Sequence, residues 1–301
     1  MIKIAILLST YNGEEFIKEQ LQSILDQDTD FHVDIHVRDD GSKDGTVELI
    51  REMNPANTKV YQEQNVGVID SFFELISMID DYDYYFLCDQ DDVWFKNKIS
   101  TATQFLTNDN SKLYCSALEV VDKALNPIKI INQRTFITYK NSLIESGATG
   151  CTMAFTNEFR TELLSVYKMI DKKDIIMHDS LIIKVASLLG NVSYDTEPRI
   201  SYRQHDRNVI GASSSGFGKT LSAIKNLFDV NKRNLQIKES LSIINCLNKL
   251  NYDHPCDDLF LVRSGFFLRL KFLAKNKYYK RNRLSSMIFK LFVFIGVFRN
   301  A

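Results

Sequence analysis

The sequence predicts an α/β fold: a mostly parallel central sheet with flanking helices, followed by a helical, basic C-terminal region. Three observations carry that expectation. Strand-like and helix-like segments alternate through the first 95 residues. Polar clusters recur directly after the apolar segments, at 9–13, 39–46 and 89–92. The charge is also divided, with a net −12 over residues 1–218 and a net +11 over 219–301 inside a total of −1.

Composition narrows the field. A chain of 301 residues, 45% apolar and 25% charged, can bury one large domain and a small second lobe, which excludes a wholly disordered chain. Only 4 Pro and 12 Gly exclude collagen-like and low-complexity sequence. An acidic body excludes nucleic acid as its partner, while the basic tail suits an anionic surface. The five cysteines (Cys88, Cys115, Cys151, Cys246 and Cys256) have no zinc-knuckle or redox spacing, and their odd number opposes a disulfide framework. A reducing cytoplasm is the expected compartment.

Residues 2–8 are apolar but short. Ser9-Thr10-Tyr11-Asn12-Gly13 follows instead of a cleavage site, so they read as a buried first strand rather than a signal peptide. Phe16, Ile17, Leu21, Ile24 and Leu25 recur at helical spacing over 14–25. A second strand covers 33–38, and Asp44 is placed to cap a helix running to Met53. A short strand at 59–62, a helix at 68–79 and a strand at 84–88 complete the alternation. Asp92 is expected to cap the segment from Trp94 onward, with a helix at 98–106 and a strand at 113–121. A Gly-rich turn at 147–155 feeds a strand, and helices follow at 158–169 and 180–188. A short strand at 200–204 precedes a polar loop at 207–216.

The composition shifts near Lys219, so the expected division is 1–218 and 219–301. The second part is helical in period and ends in a 12-residue apolar run, 287–298, that includes Lys290 and is too short to span a bilayer. Basic residues beside amphipathic helices suit a membrane surface. A helical lobe packed on the body, or a homodimer surface, is the alternative.

In a sheet of this kind, ligands bind beyond the carboxyl ends of the strands, where the polar clusters fall. Asp89, Asp91 and Asp92 crowd three negative charges, which Mg²⁺ or Mn²⁺ can offset while also holding phosphate oxygens. Asp91 is the expected direct ligand, and Asp89 the group that reaches sugar, ribose or a metal-bound water. Asp39 and Asp40 can accept hydrogen bonds from a base or ribose. Asp179 can act as a general base or as a helix cap. His205 can bind metal or donate to a diphosphate, and Arg203 and Arg207 can offset phosphate charge. Neither a Gly-x-Gly-x-x-Gly nor a Walker loop follows the first strand, which opposes an NAD dehydrogenase or an ATPase.

The segments 9–13, 39–46 and Cys88-Asp89-Gln90-Asp91-Asp92-Val93-Trp94, in that order and spacing, resemble glycosyltransferase family 2 over about residues 1–215. Asp-Gln-Asp-Asp-Val-Trp, His178-Asp179 and the stretch 202–211 resemble its rhamnosyltransferase branch, which builds bacterial capsule, O-antigen or cell-wall polysaccharide. The resemblance implies a GT-A fold and inverting transfer from a nucleotide-diphosphate sugar. It places Thr10, Tyr11 and Glu14 around the nucleotide, Asp40 (or Asp39) on the base, and Asp89 by the ribose or donor sugar. Asp91 becomes the metal-binding aspartate, Asp179 the catalytic base, and His205 a metal or diphosphate contact. Gly150, Cys151 and His178 fall on the acceptor side. The absence of Gln-x-x-Arg-Trp implies one sugar per visit.

The implied donor is dTDP-β-L-rhamnose, with a UDP-galactose or UDP-glucose transferase, or a non-catalytic scaffold of a polysaccharide assembly complex, as the alternatives. The implied acceptor is a polyprenyl-diphosphate-linked glycan, and the implied location is the cytoplasmic face of the plasma membrane.

Overall fold

The computed structural model describes residues 1–53, 57–132, 138–205, 229–256, 258–275 and 278–301. Its strands are β1 (Lys3–Thr10), β2 (His32–Asp39), β3 (Thr58–Gln62), β4 (Tyr84–Cys88), β5 (Val93–Trp94), β6 (Leu113–Val121), β7 (Pro127–Ile131), β8 (Ala154–Thr156) and β9 (Val192–Arg203). Its helices are α1 (Ile17–Leu25), α2 (Thr46–Met53), α3 (Val68–Met78), α4 (Lys98–Asn108), the single turn α5 (Tyr139–Ser142), α6 (Asn157–Met169), α7 (His178–Leu189), α8 (Val230–Lys249), α9 (Phe266–Lys275) and α10 (Arg283–Ile295).

The chain forms two compact units. The first comprises Met1–Arg134, Ala148–Leu164 and Gly190–Asn208. It holds one nine-stranded sheet in the order β3-β2-β1-β4-β8-β6-β9-β5, with β7 paired to β6. β3, β2, β1 and β4 are parallel, as the strand–helix alternation predicts. Ile4 to Leu8 are all fully buried, which is why β1 reads as an unbroken apolar run rather than an alternating one. Ile17, Leu21 and Ile24 of α1 pack into the same core as Ile35, Val37 and Phe86.

Beyond β4 the sheet becomes mixed. β8 runs antiparallel to both β4 and β6, β9 runs parallel to β6, and β5 runs antiparallel to β9. Two expectations change here. The strand expected at 200–204 begins at Val192, and its register with β6 shifts on both sides of Ala117. Asp92 caps no helix: Trp94 pairs with Ile200 in β5, and α4 starts only at Lys98.

The second unit comprises Thr135–Gly147, Ser165–Leu189 and Val209–Ala301. Leu181, Ile182, Ile183, Val185, Ala186 and Leu188 bury α7 nearly all round. α10 starts at Asn282, whose side chain accepts from Leu284 N–H, and stops at Gly296 in the left-handed region (φ +83°). The division expected near Lys219 and the loop expected at 207–216 lie outside the described residues. Among the described residues, no helix is long and apolar enough to cross a membrane.

Candidate active site

The parallel register places Thr10 beside Asp39, and Leu8 beside Cys88, so three strand ends open onto one edge of the first unit. Hydrogen bonds then join the loops that follow. Thr10 Oγ1 donates to Asp39 Oδ1 (2.9 Å), and Ser42 N–H donates to Asp39 Oδ2 (2.9 Å). Asn12 N–H donates to Ser42 Oγ (2.9 Å), Gly13 N–H to Thr46 Oγ1 (2.8 Å), and Gly45 N–H to Glu14 Oε2 (2.8 Å). Gln90 clamps the Tyr11 main chain from the other side: its Oε1 accepts from Tyr11 N–H (2.8 Å) and its Nε2 donates to Tyr11 O (3.0 Å). The space for that clamp exists because residue 13 is glycine; a Cβ there would stand 2.2 Å from Gln90 Oε1. Tyr11 and Glu14 stay exposed, while Thr10 and Asp39 are buried beneath them.

Asp40 is buried and engaged within the chain. Its carboxylate accepts from Arg38 Nη1 (2.6 Å), Val66 N–H (2.8 Å) and Gly67 N–H (2.9 Å), fastening the turn into α3.

The aspartates after β4 occupy three environments. Asp91 is partly exposed and its Oδ2 lies 2.8 Å from His205 Nε2, a partner 114 positions on. The pairing of β5 with β9 brings that partner in, and the His205 ring stacks on Phe16 with centroids 4.7 Å apart. Asp92 is fully buried; its Oδ1 accepts from Arg203 N–H (3.0 Å). Burial, then the charges of Asp91 and Asp89, push the Asp92 carboxyl well above the usual range. Asp89, Asp92 and Cys151 each bring a potential ligand atom within 4.8 Å of the others.

Behind this cluster lies Lys98, a fully buried lysine. Its Nζ donates to Cys151 O (2.5 Å) and sits 4.4 Å from the Trp94 ring centroid. Burial lowers its pKa, opposed by the negative potential of Cys151, Cys88, Asp92 and Asp89.

The cluster suits a small divalent cation. Carboxylates suit both Mg²⁺ and Mn²⁺, an imidazole suits Mn²⁺ better than Mg²⁺, and among the described residues the buried Asp92 Oδ2 meets no donor by hydrogen-bond geometry. On its open side, Asp91 and His205 are the residues that would hold such an ion. Cys151 is a poor ligand for it, because burial, then Asp92 and Asp89, push its thiol well up.

Three residues sit differently from the sequence expectation. Arg203 is 3% exposed. Its guanidinium is committed to Asp91 O (2.9 Å), Lys123 O (2.8 Å) and the Glu19 carboxylate, so it holds the site's walls together instead of offering a free charge to a phosphate. Gly150 and Cys151 are both buried in the single 3-10 turn before β8, with the Cys151 side chain inside the carboxylate cluster rather than on an acceptor surface. Arg207 lies outside the described residues.

His178 and Asp179 belong to the second unit, in the first turn of α7. Asp179 is partly exposed, whereas His178 is buried and its imidazole is pushed down to about 3 by burial, so it is neutral at ordinary pH. The turn is gripped by a residue the sequence did not single out, Glu239 of α8. Its Oε1 accepts from Ile176 N–H (2.8 Å), and its Oε2 accepts from Ser180 Oγ (2.6 Å) and Lys184 Nζ (2.5 Å). Glu239 and Lys184 are both fully buried. No local pattern marks this pair, since acids and lysines spaced along a helix ordinarily face water. Gln90, by contrast, stands inside the Asp-x-Asp motif, and its position alone could have drawn attention.

A parallel sheet whose strand ends carry these loops, with an acidic cluster after the fourth strand, matches a glycosyltransferase of the GT-A fold. The model of glycosyl transferase family 2 matches residues 5–164, and the chain belongs to that family. It is rhamnosyltransferase-like: it is 31% identical over 220 residues to the dTDP-rhamnosyl transferase RfbG of Shigella flexneri, covering 69% of this chain and 75% of that protein. Among solved structures, S. aureus TarS 1–349 in complex with UDP-GlcNAc aligns with a TM-score of 0.59 at 18% identity, over 99% of this chain and 90% of that one. The mannosyltransferase PcManGT of Pyrobaculum calidifontis, in complex with GDP-Man and Mn²⁺, aligns with a TM-score of 0.51 at 14% identity, over 98% and 85%. These two likenesses concern the fold.

Proposed function

We propose that this glycosyltransferase transfers one L-rhamnose from dTDP-β-L-rhamnose, with inversion, to a glycan acceptor in capsule, O-antigen or cell-wall polysaccharide synthesis. The likeness to a dTDP-rhamnosyl transferase supports the donor. The Asp91–His205 pair at the carboxyl edge of the parallel sheet is the observation that carries the transfer reading.

Tyr11 and Glu14 face the nucleotide on a platform held by Thr10, Asp39 and Gln90. Asp89 faces the ribose or donor sugar. Asp91 and His205 would hold a divalent cation, Mg²⁺ or Mn²⁺, which would neutralise charge on the donor diphosphate. Asp179 takes the proton of the acceptor hydroxyl, whose oxygen attacks the anomeric carbon opposite the departing nucleotide diphosphate. A single displacement turns the β-linked donor into an α-rhamnoside. The neutral, buried His178 lets Asp179 carry its charge without an adjacent imidazolium. The acceptor is a polyprenyl-diphosphate-linked glycan on the inner leaflet. Residues 1–218 carry the transfer chemistry, and 219–301 serve its attachment.

The test uses purified full-length protein with Mg²⁺ or Mn²⁺, a panel of UDP-, dTDP- and GDP-sugars and a lipid-linked acceptor, with the product's anomeric configuration read by NMR. Turnover of dTDP-rhamnose to an α-rhamnoside is expected. Turnover confined to UDP-galactose or UDP-glucose would overturn the donor assignment. Activity untouched by EDTA, or by Asp91→Asn, would overturn the cation assignment.

A further inference from the structure

We propose that the outer face of α9 and α10 docks the protein on an anionic lipid bilayer. The inference comes from this surface alone and does not depend on the sugar transferred.

α10 carries two apolar stripes. Ile288, Phe289, Phe292 and Val293 face inward and are buried. Leu284, Met287, Leu291, Phe294 and Ile295 form a second stripe that stays in water, with Met287 66% and Ile295 59% exposed. A helix that only packed on its own unit would need one such stripe. α9 extends the exposed face through Phe266, Leu268 and Phe267, the last 83% exposed. The two helices present one surface: the Phe266 ring meets Phe294 edge-on at 5.6 Å and Phe267 at 5.8 Å. Arg269 is buried and fixes their geometry by donating from Nη2 to Phe294 O (3.2 Å) and from Nη1 to Ser264 O (2.9 Å).

Charge selects the occupant. Residues 259–301 contain ten Lys and Arg and no Asp or Glu. Arg263, Lys271, Lys275, Arg281, Arg283 and Arg299 are exposed. A second copy apposed through this face would set those cations against their own like, since residues 259–301 supply no acid to meet them. An anionic bilayer meets both demands: its headgroups complement the cations, and its acyl boundary takes the apolar stripe. Each Lys or Arg near such a surface contributes about 1 kcal/mol, or roughly fivefold in partitioning.

The experiment is co-sedimentation of the full chain with phosphatidylcholine vesicles, with and without phosphatidylglycerol, at low and high salt, in the absence of any sugar donor. Binding is expected only with phosphatidylglycerol, and salt should weaken it. Two double variants, Phe267→Ser with Met287→Ser and Arg281→Glu with Arg283→Glu, should each lower partitioning by at least about tenfold. Both pairs are exposed, and an acid at position 283 suits the first turn of α10, so the fold should persist by circular dichroism. Equal binding by the variants, equal binding to neutral vesicles, or no binding would each overturn the proposal. Dimerisation in sedimentation velocity that the same substitutions abolish, without vesicle binding, would assign the face to a second copy instead.

Discussion

Replacing Glu239 by Gln tests whether one carboxylate holds the turn that carries Asp179. The substitution keeps the size of the side chain and removes its charge. Lys184, whose side chain has no exposed surface, then loses its carboxylate partner, with Gln236 O at 3.4 Å as its other acceptor among the described residues. Breaking a buried pair from one side costs about 3–5 kcal/mol. Glu239 also accepts from Ile176 N–H on one oxygen and from Ser180 Oγ on the other, and an amide keeps only one of those oxygens, so one of the two bonds loses its acceptor. A loss of about 4 kcal/mol should lower the melting temperature by roughly 8–16 °C in a chain of this size.

The companion variant, Glu239→Gln with Lys184→Met, removes both charges and should recover at least about half of that loss. Thermal and urea unfolding measure the stabilities, and single-turnover rates measure the chemistry. Because Ile176 and Ser180 bracket Asp179, the single variant should lower kcat more than it raises the donor KM. A single variant within about 1 kcal/mol of the parent, or a double variant no better than the single, would refute the reasoning.

Asp179→Asn should reduce kcat by about 10²–10⁴ with the donor KM within about twofold, measured by steady-state release of nucleotide diphosphate. Gly13→Ala must displace Gln90 and break both of its bonds to Tyr11, costing about 1–3 kcal/mol of stability and raising the donor KM; on a Gln90→Ala background, where those bonds are already gone, Gly13→Ala should cost almost nothing further. His178 adds a pH dependence, since its imidazole titrates near 3 when folded and near 6.5 when unfolded. Its contribution is therefore fully present above pH 6.5 and declines as the pH falls toward 3, amounting to about 2 kcal/mol lost at pH 5. The difference in unfolding free energy between pH 7 and pH 5 should shrink by about that amount in His178→Gln.

The first half of the sheet was legible because β1 and β4 are apolar runs, β2 alternates Val33, Ile35 and Val37 with polar residues, and each strand ends in a polar cluster. Chemistry and topology therefore coincide along the sequence. Asp91 and His205 were legible as candidates, and their pairing was not, because it depends on β9. That strand carries Asp195, Thr196, Glu197 and Arg199 through its middle, and its register with β6 shifts there. Lys98 and Glu239 escaped for a different reason. Burial of a charged side chain is decided by the partners that surround it, and no local pattern announces those partners. Arg203 shows the same limit: a basic residue near a diphosphate site suggests a phosphate contact, and no local pattern announced that its guanidinium also donates to Asp91 O, Lys123 O and the Glu19 carboxylate.

The 114-position span between Asp91 and His205 also orders events during synthesis. The loops after β1 and β2 close among residues 10–46 and 90, so their zipper can assemble on a nascent chain while β9 is still unmade. The cation cradle cannot, because closing so long a loop must wait for β9 to dock beside β6 and β5. Metal affinity, followed on ribosome-stalled chains of increasing length, would therefore switch on only after residue 205 has cleared the exit tunnel. A chain truncated before β9 would keep the hydrogen-bonded loops after β1 and β2 and leave Asp91 without the imidazole that meets it.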